Sequence, residues 1–227
     1  MIKDFFNLIF PRCCLACGQA LIRQERLLCT YCHARLPITN YHLAADNPLM
    51  LRFYGKVKVN EVFSYLKFIK GGITQKVLHS IKYDNYPELG QLLGRWFACE
   101  LIRMGKLNDV DLIVPVPLHK SRRRKRGYNQ SEYVAKGFAT ACKIPCSNRV
   151  LARIAKSTSQ AKKKDRLERW QNVHNIFAVK QPELVSGKHI LVIDDVLTTG
   201  ATLEACAHPL LEAGCTTVSF ATLAVAI

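Results

Sequence analysis

The chain has 227 residues, 49% of them apolar, which is enough for one core and a small appendage. No apolar run reaches the length a membrane-spanning helix needs, which excludes an integral helical membrane protein. Thirty-three Lys and Arg against 17 Asp and Glu leave a net charge of +16. That balance points to a polyanionic partner, nucleic acid first, with solubility alone as the plainer reading.

Residues 1–10 carry Asp4 inside a short apolar stretch and are too brief and broken for a secretory leader. They read as an amphipathic segment of a cytoplasmic chain, packed on its body, with a peripheral place on the inner membrane as the alternative. Two CxxC pairs follow, Cys14 with Cys17 and Cys29 with Cys32, separated by eleven residues. Four thiolates at that spacing suit one tetrahedral Zn²⁺, and with no ligand position left open the metal is structural. A redox role is the weaker reading, since a thioredoxin-like site needs one such pair in a βαβ context. Whether Cys13 exchanges with Cys14 as a ligand stays open. Cys99, Cys142, Cys146, Cys206 and Cys215 are scattered, and most read as small core residues. We expect a zinc module over residues 1–40 and a second domain over 41–227.

In that second domain, Ile73, Val77, Leu78 and Ile81 predict a helix over 73–83, and Leu92, Leu93, Phe97 and Leu101 another over 89–104. Residues 110–117 are a short β-branched apolar run ended by prolines, a buried strand. A loop with a cationic run follows: Lys120, Arg122, Arg123, Arg124, Lys125 and Arg126. A helix is predicted over 130–142, a strand over 189–193, a helix over 202–213 closed by Gly214, and a strand over 216–226. Strands alternating with helices imply an α/β fold, a doubly wound and largely parallel sheet.

The sharpest chemistry lies after the 189–193 strand, in Asp194, Asp195, Val196, Leu197, Thr198, Thr199, Gly200, Ala201 and Thr202. Ligands of open α/β sheets bind off the carboxyl ends of strands. A loop entering a helix offers unpaired amides to a phosphate, with the threonine hydroxyls as added donors. Two adjacent carboxylates would repel that phosphate unless they serve vicinal ribose hydroxyls or a Mg²⁺ carried with pyrophosphate. The combination fits a 5-phosphorylated ribose. No GxxxxGK[ST] occurs, so this is not a Walker A loop.

Four apolar residues, two acids and a loop with Thr-Gly-x-Thr resemble the signature of type I phosphoribosyltransferases. Val114 to Leu118, Arg126 to Gln130, the double CxxC, Gly90 and the stretch from Ser159 to Phe177 resemble the ComF (ComFC/GntX) group of competence proteins. The resemblance departs at Lys162, Lys163 and Lys164, where the group carries Gly-Leu-Ser. It implies a type I phosphoribosyltransferase-like fold that binds phosphoribosyl pyrophosphate with Mg²⁺. Asp194 and Asp195 would be the catalytic acids on the ribose, and Val196 to Thr202 would hold the 5-phosphate. Pro117, Leu118, His119, Lys120, Arg126 and Asn129 would hold pyrophosphate. His119 could serve as an acid for the leaving group, a plain loop residue being the more ordinary reading.

Natural transformation, the handling of incoming single-stranded DNA, is the implied setting, with a helicase-like competence protein as a further partner. Arg122, Arg123, Arg124, Lys125, Lys162, Lys163 and Lys164 are the nucleic-acid candidates, with Tyr83, Tyr86 and Tyr128 among them for stacking. The alternative is a phosphoribosyltransferase enzyme of nucleotide metabolism or salvage whose acceptor the residues do not name.

Overall fold

The computed structural model describes residues 11–44, 46–154 and 176–227. The N-terminal segment 1–10, Lys162 to Lys164 and the stretch from Ser159 to Val173 therefore lie wholly or largely outside the described residues. In chain order the elements are α1 (Thr30–Ala34), β1 (Val62–Phe68), α2 (Ile73–Tyr83), α3 (Pro87–Arg103), β2 (Leu112–Pro115), α4 (Lys120–Arg126), α5 (Gln130–Cys142), β3 (Leu151–Arg153), β4 (Phe177–Val179), β5 (His189–Leu197), α6 (Ala201–Glu212) and β6 (Thr217–Ala226). Four strands form one sheet in the order β1-β6-β5-β2, and every pairing in it is parallel. β3 and β4 make a separate antiparallel pair.

The central strands are largely apolar because both faces are covered, as parallel sheets require. Along β5 the side chains alternate between two cores. Leu191 and Ile193 pack with α2, α3 and α5 on one face, and Ile190 and Val192 with α6 and residues 49–59 on the other. Each fully buried leucine or isoleucine of these cores contributes about 2–3 kcal/mol. The α3–α5 crossing is unusually close. A Cβ on Gly137 would sit 2.2 Å from the Gln91 carbonyl oxygen, so only glycine allows this approach, which sets the start of α5 against the end of β5.

Several expectations are corrected. The 120–126 run is a seven-residue helix, not a loop. Its cations crowd the last turn, where the helix dipole is negative, and Gly127 closes it at φ 81. β5 runs four residues further than expected, so Asp194 to Leu197 belong to the strand and the loop shrinks to residues 198–200. A strand at Val62–Phe68 was not anticipated, although its run of apolar and aromatic residues carries that signal.

The N-terminal module is continuous with the body. Cys14, Leu28, Cys32 and Leu36 share one apolar cluster with Leu78, Phe97 and Ile113, and His33 stacks on Trp96 at 3.9 Å. Ile38 bridges Leu66 on the sheet edge, with the Thr39 amide donating to the Tyr65 carbonyl at 2.8 Å. No helix among the described residues is long and apolar enough to cross a membrane.

Candidate functional site

The carboxyl ends of β1, β2, β5 and β6 lie on one side of the sheet, as parallel strands must. Asp194 and Asp195 sit there as neighbours in β5, with side chains leaning to opposite faces. Asp195 is buried, 8% exposed, and is held from two directions. The Gln130 amide donates to its Oδ2 at 2.8 Å, and the Lys82 ammonium lies 2.9 Å from the same oxygen. The Ser131 hydroxyl donates to Asp194 Oδ1 at 3.0 Å, and the Asp195 amide donates to that oxygen at 2.9 Å. Burial first, then the charge of Asp195, raises the Asp194 carboxyl to about 7, against the opposing pull of the Asp195 amide, Ser131 and Lys82.

The loop beyond the strand is pinned from behind. Arg52, in the 3₁₀ turn Met50–Arg52, donates to the carbonyls of Leu197, Thr198 and Ala226, the last at 2.6 Å. With those carbonyls turned toward the guanidinium, the amides of the loop and of the first turn of α6 have no intrahelical acceptor; the Ala201 amide donates to Thr199 Oγ1 at 3.4 Å, and its neighbours can receive an anion. Gly200 adopts φ 89 as the N-cap of α6, and a Cβ there would meet the Phe53 ring at 3.0 Å. Thr198, Thr199, Ala201 and Thr202 are exposed around this cup, whereas Leu197 is buried and faces the core.

The expected pyrophosphate residues divide. Pro117 and Leu118 leave β2 at the same sheet end, and Lys120 is exposed at the start of α4. His119 caps α4, its Nδ1 accepting from the Ser121 amide at 3.2 Å. Asn129, expected to meet pyrophosphate, is 2% exposed and engaged at both ends. Its Nδ2 donates to the Val116 carbonyl at 2.9 Å and its Oδ1 caps α5 through the Ser131 amide at 3.2 Å. It positions Gln130 and Ser131 rather than reaching the cleft. Arg126 stays available, its guanidinium 5.1 Å above the Tyr83 ring.

Sequence reading missed Lys82, Arg52, Gln130 and Ser131 as site residues. It also missed Arg153 on β3, which stacks over Phe177 at 5.4 Å. Burial and the neighbouring Arg122 lower the Arg153 pKa, opposed by Cys206 and Asp194. Gln130 ends the Arg126 to Gln130 motif; the others lie in none and are brought to the site by the fold.

At the other end, Cys14, Cys17, Cys29 and Cys32 place their sulfurs within 4.8 Å of one another. Tetrahedral Zn–S bonds of about 2.3 Å give sulfur separations near 3.8 Å, so the set fits one Zn²⁺. The thiols also receive amide donors, Cys29 N to Cys14 Sγ at 3.3 Å and Cys32 N to Cys29 Sγ at 3.4 Å, as ligating sulfurs do. Burial pushes the Cys14 thiol up, but donations from Cys29, Ala16 and Cys17 outweigh it and bring it to about 7. Cys13 is exposed and turned to the Pro11 carbonyl at 3.5 Å, outside the cluster.

Two acids near the end of a strand, exposed threonines at a helix start and flanking cations are thus brought to one end of the sheet. Residues 118–226 accordingly match the family described as phosphoribosyl transferase domain. Over that stretch the chain is similar to phosphoribosyl transferase domains, and its relatives carry DNA-utilization and competence names. It is similar to the DNA utilization protein YhgH of Escherichia coli O157:H7, 28% identical over 210 residues, 90% of this chain and 86% of the relative. It is 32% identical over 114 residues to competence protein F of Haemophilus influenzae, covering 49% of each chain. To competence protein ComFC of Bacillus subtilis it is 39% identical over 103 residues, 45% of this chain and 39% of that one. Among solved structures it aligns with the glutamine phosphoribosylpyrophosphate amidotransferase of B. subtilis at 23% identity and TM-score 0.43, covering 59% of this chain and about a quarter (25%) of that one.

Proposed function

We propose that this protein binds phosphoribosyl pyrophosphate, or a nucleotide that presents the same 5-phosphoribosyl group, and acts in the handling of single-stranded DNA taken up during natural transformation. The observation that carries the pocket reading is the acid pair at the end of β5, three residues before a loop held open by Arg52. Asp194 and Asp195 accept hydroxyls of the ribose, and the amides of residues 198–202 with Thr198, Thr199 and Thr202 receive the 5-phosphate. Lys120 and Arg126 neutralise the pyrophosphate beside the exit of β2. Mg²⁺ arriving with pyrophosphate would spread the charge of that leaving group. The DNA setting rests on the relatives' names and on the net charge of +16. We place the protein in the cytoplasm, with a helicase-like competence protein as a partner. Residues 1–40 serve as its docking module and residues 41–227 as the binding domain.

A second reading, favoured by the Asp194 carboxyl near 7 beside a cationic cleft, is a working phosphoribosyltransferase of nucleotide metabolism. It needs an acceptor, whereas the first needs only binding. Calorimetric titration of phosphoribosyl pyrophosphate with Mg²⁺ tests the pocket. The wild type should bind and Asp194→Asn/Asp195→Asn should lose binding. Equal binding by both would remove the acids from the site. An oligothymidylate titrated in parallel tests the DNA part, which fails if no strand binds at low salt.

A further inference from the structure

The end of α2 and one flank of α4 enclose a cavity of about 620 Å³, lined by Lys82, Tyr83, Asn85, Arg122, Lys125, Arg126 and Tyr128. Its frame is fixed, because the Tyr128 hydroxyl donates to the Ile81 carbonyl at 2.6 Å and ties the segment after α4 to α2. Among the described residues no carboxylate pairs with Arg122, Lys125 or Arg126, while Arg123 turns away to Glu132 at 3.3 Å. Arg122 and Lys125, beside the Arg126 that also faces the pyrophosphate position, raise the potential of this concavity and call for an anion. Tyr83 is 63% exposed at the rim, with the Arg126 guanidinium 5.1 Å over its ring and the His79 ring centroid 5.0 Å away, two mobile surface side chains that a base can displace. The volume exceeds what one phosphate fills and lies in the range of nucleotide-sized pockets. Phosphate-binding cations beside an open ring are the equipment of single-strand binding; a duplex would hide the faces that stack.

Lys82 gives this cavity its consequence. Lys82 lines the cavity, and its ammonium lies 2.9 Å from Asp195 Oδ2. One cation thus serves two sites. While it rests on Asp195 it shares with the Gln130 amide one oxygen of the carboxylate that would accept a ribose hydroxyl. A strand phosphate entering the cavity offers Lys82 a second partner and draws it off the acid.

We infer that this cavity is the single-stranded nucleic-acid subsite, with Tyr83 as its stacking platform and Lys82 as the shared cation that couples strand binding to the acid pair. The inference rests on the phosphoribosyl and single-strand readings above and deepens them by assigning the strand's place and its link to the pocket. Linkage makes the coupling reciprocal: a bound strand tightens phosphoribosyl pyrophosphate, and phosphoribosyl pyrophosphate tightens the strand.

The test uses the full chain, a fluorescein-labelled oligothymidylate of about 20 nucleotides read by anisotropy, and Mg-phosphoribosyl pyrophosphate read by calorimetry. Arg122→Glu/Lys125→Glu and Tyr83→Ala should each weaken the oligonucleotide about tenfold or more, and Tyr83→Trp should restore it, because any base stacks on indole. Saturating oligonucleotide should tighten the small ligand roughly fivefold in the wild type. Lys82→Met should bind the small ligand tightly with or without the strand. If the wild type binds the oligonucleotide and these variants bind it equally well, the subsite assignment is overturned while the DNA reading stands. If the variants weaken the strand but it leaves the small ligand's affinity unchanged, the Lys82 coupling is overturned. A wild type that binds no oligonucleotide at low salt removes the DNA reading and this inference together, and one that binds no small ligand removes the coupling.

Discussion

The two ends of the molecule build their sites in opposite ways. The cysteine cluster takes all four ligands from nineteen consecutive residues, Cys14 to Cys32, and its geometry follows from two local knuckles. The acid pair takes its surroundings from four places far apart in sequence: Arg52, Lys82, Gln130 with Ser131, and β5 itself. A local site survives as long as its short loop closes. A dispersed one exists only while the whole sheet and both helix layers hold register.

That contrast is most severely strained by removing the metal. Structural zinc contributes on the order of 10 kcal/mol to small cysteine modules. A chelator, or Cys29→Ser/Cys32→Ser, should therefore unfold residues 12–36. Because Leu28 and Leu36 share a core with Phe97, the melting temperature of the whole chain should fall too. A module that unfolds with no change in the body's melting temperature would break the continuity described here.

Next in size is Gly137→Ala. The added methyl would press on the Gln91 carbonyl from 2.2 Å, and overpacking of this kind costs about 1–3 kcal/mol. It should also displace Gln130 and Ser131 and weaken phosphoribosyl pyrophosphate binding, with zinc content unaltered by atomic absorption. Arg52→Met is comparable in size but confined to the loop. Loss of its charged hydrogen bonds to the loop carbonyls costs about 1.5–3 kcal/mol, read as a tenfold or greater loss of ligand affinity in calorimetry.

The smallest effect is in pH. The Asp194 carboxyl is raised from 3.8 to about 7, so its protonated form favours the fold. That contribution is complete below pH 3.8 and is lost as pH rises through about 7. Ribose hydroxyls require the ionised form, so ligand affinity should rise over the same interval while the ligand-free protein loses a little stability. Asp194→Asn should flatten the stability change.

How much of this was legible follows from the same contrast. The cysteines, the helices at 73–83 and 130–142, and the strands read at 110–117 and 189–193 announce themselves through spacing and short apolar runs. The phosphate loop did so through its acids and threonines. Lys82 and Arg52 did not, because nothing local distinguishes them from the other 31 of the 33 basic residues; only the closing of the sheet brings them to Asp195 and Thr198. Asn129 was misjudged for a related reason. Its side chain serves as a helix cap and a tie to Val116, a use that depends on where β2 ends. The 120–126 helix was hidden by its repelling charges, whose favourable place at a helix carboxyl end emerges only once Gly127 has closed it.

The central claim is that one ligand site is assembled from these separated segments. Hydrogen–deuterium exchange with and without Mg-phosphoribosyl pyrophosphate tests it directly. The account predicts slowed exchange in peptides covering residues 50–53, 80–86, 128–131 and 194–202 together, with the cysteine module unchanged. Slowing confined to 198–202, or centred on the cysteines, would contradict it.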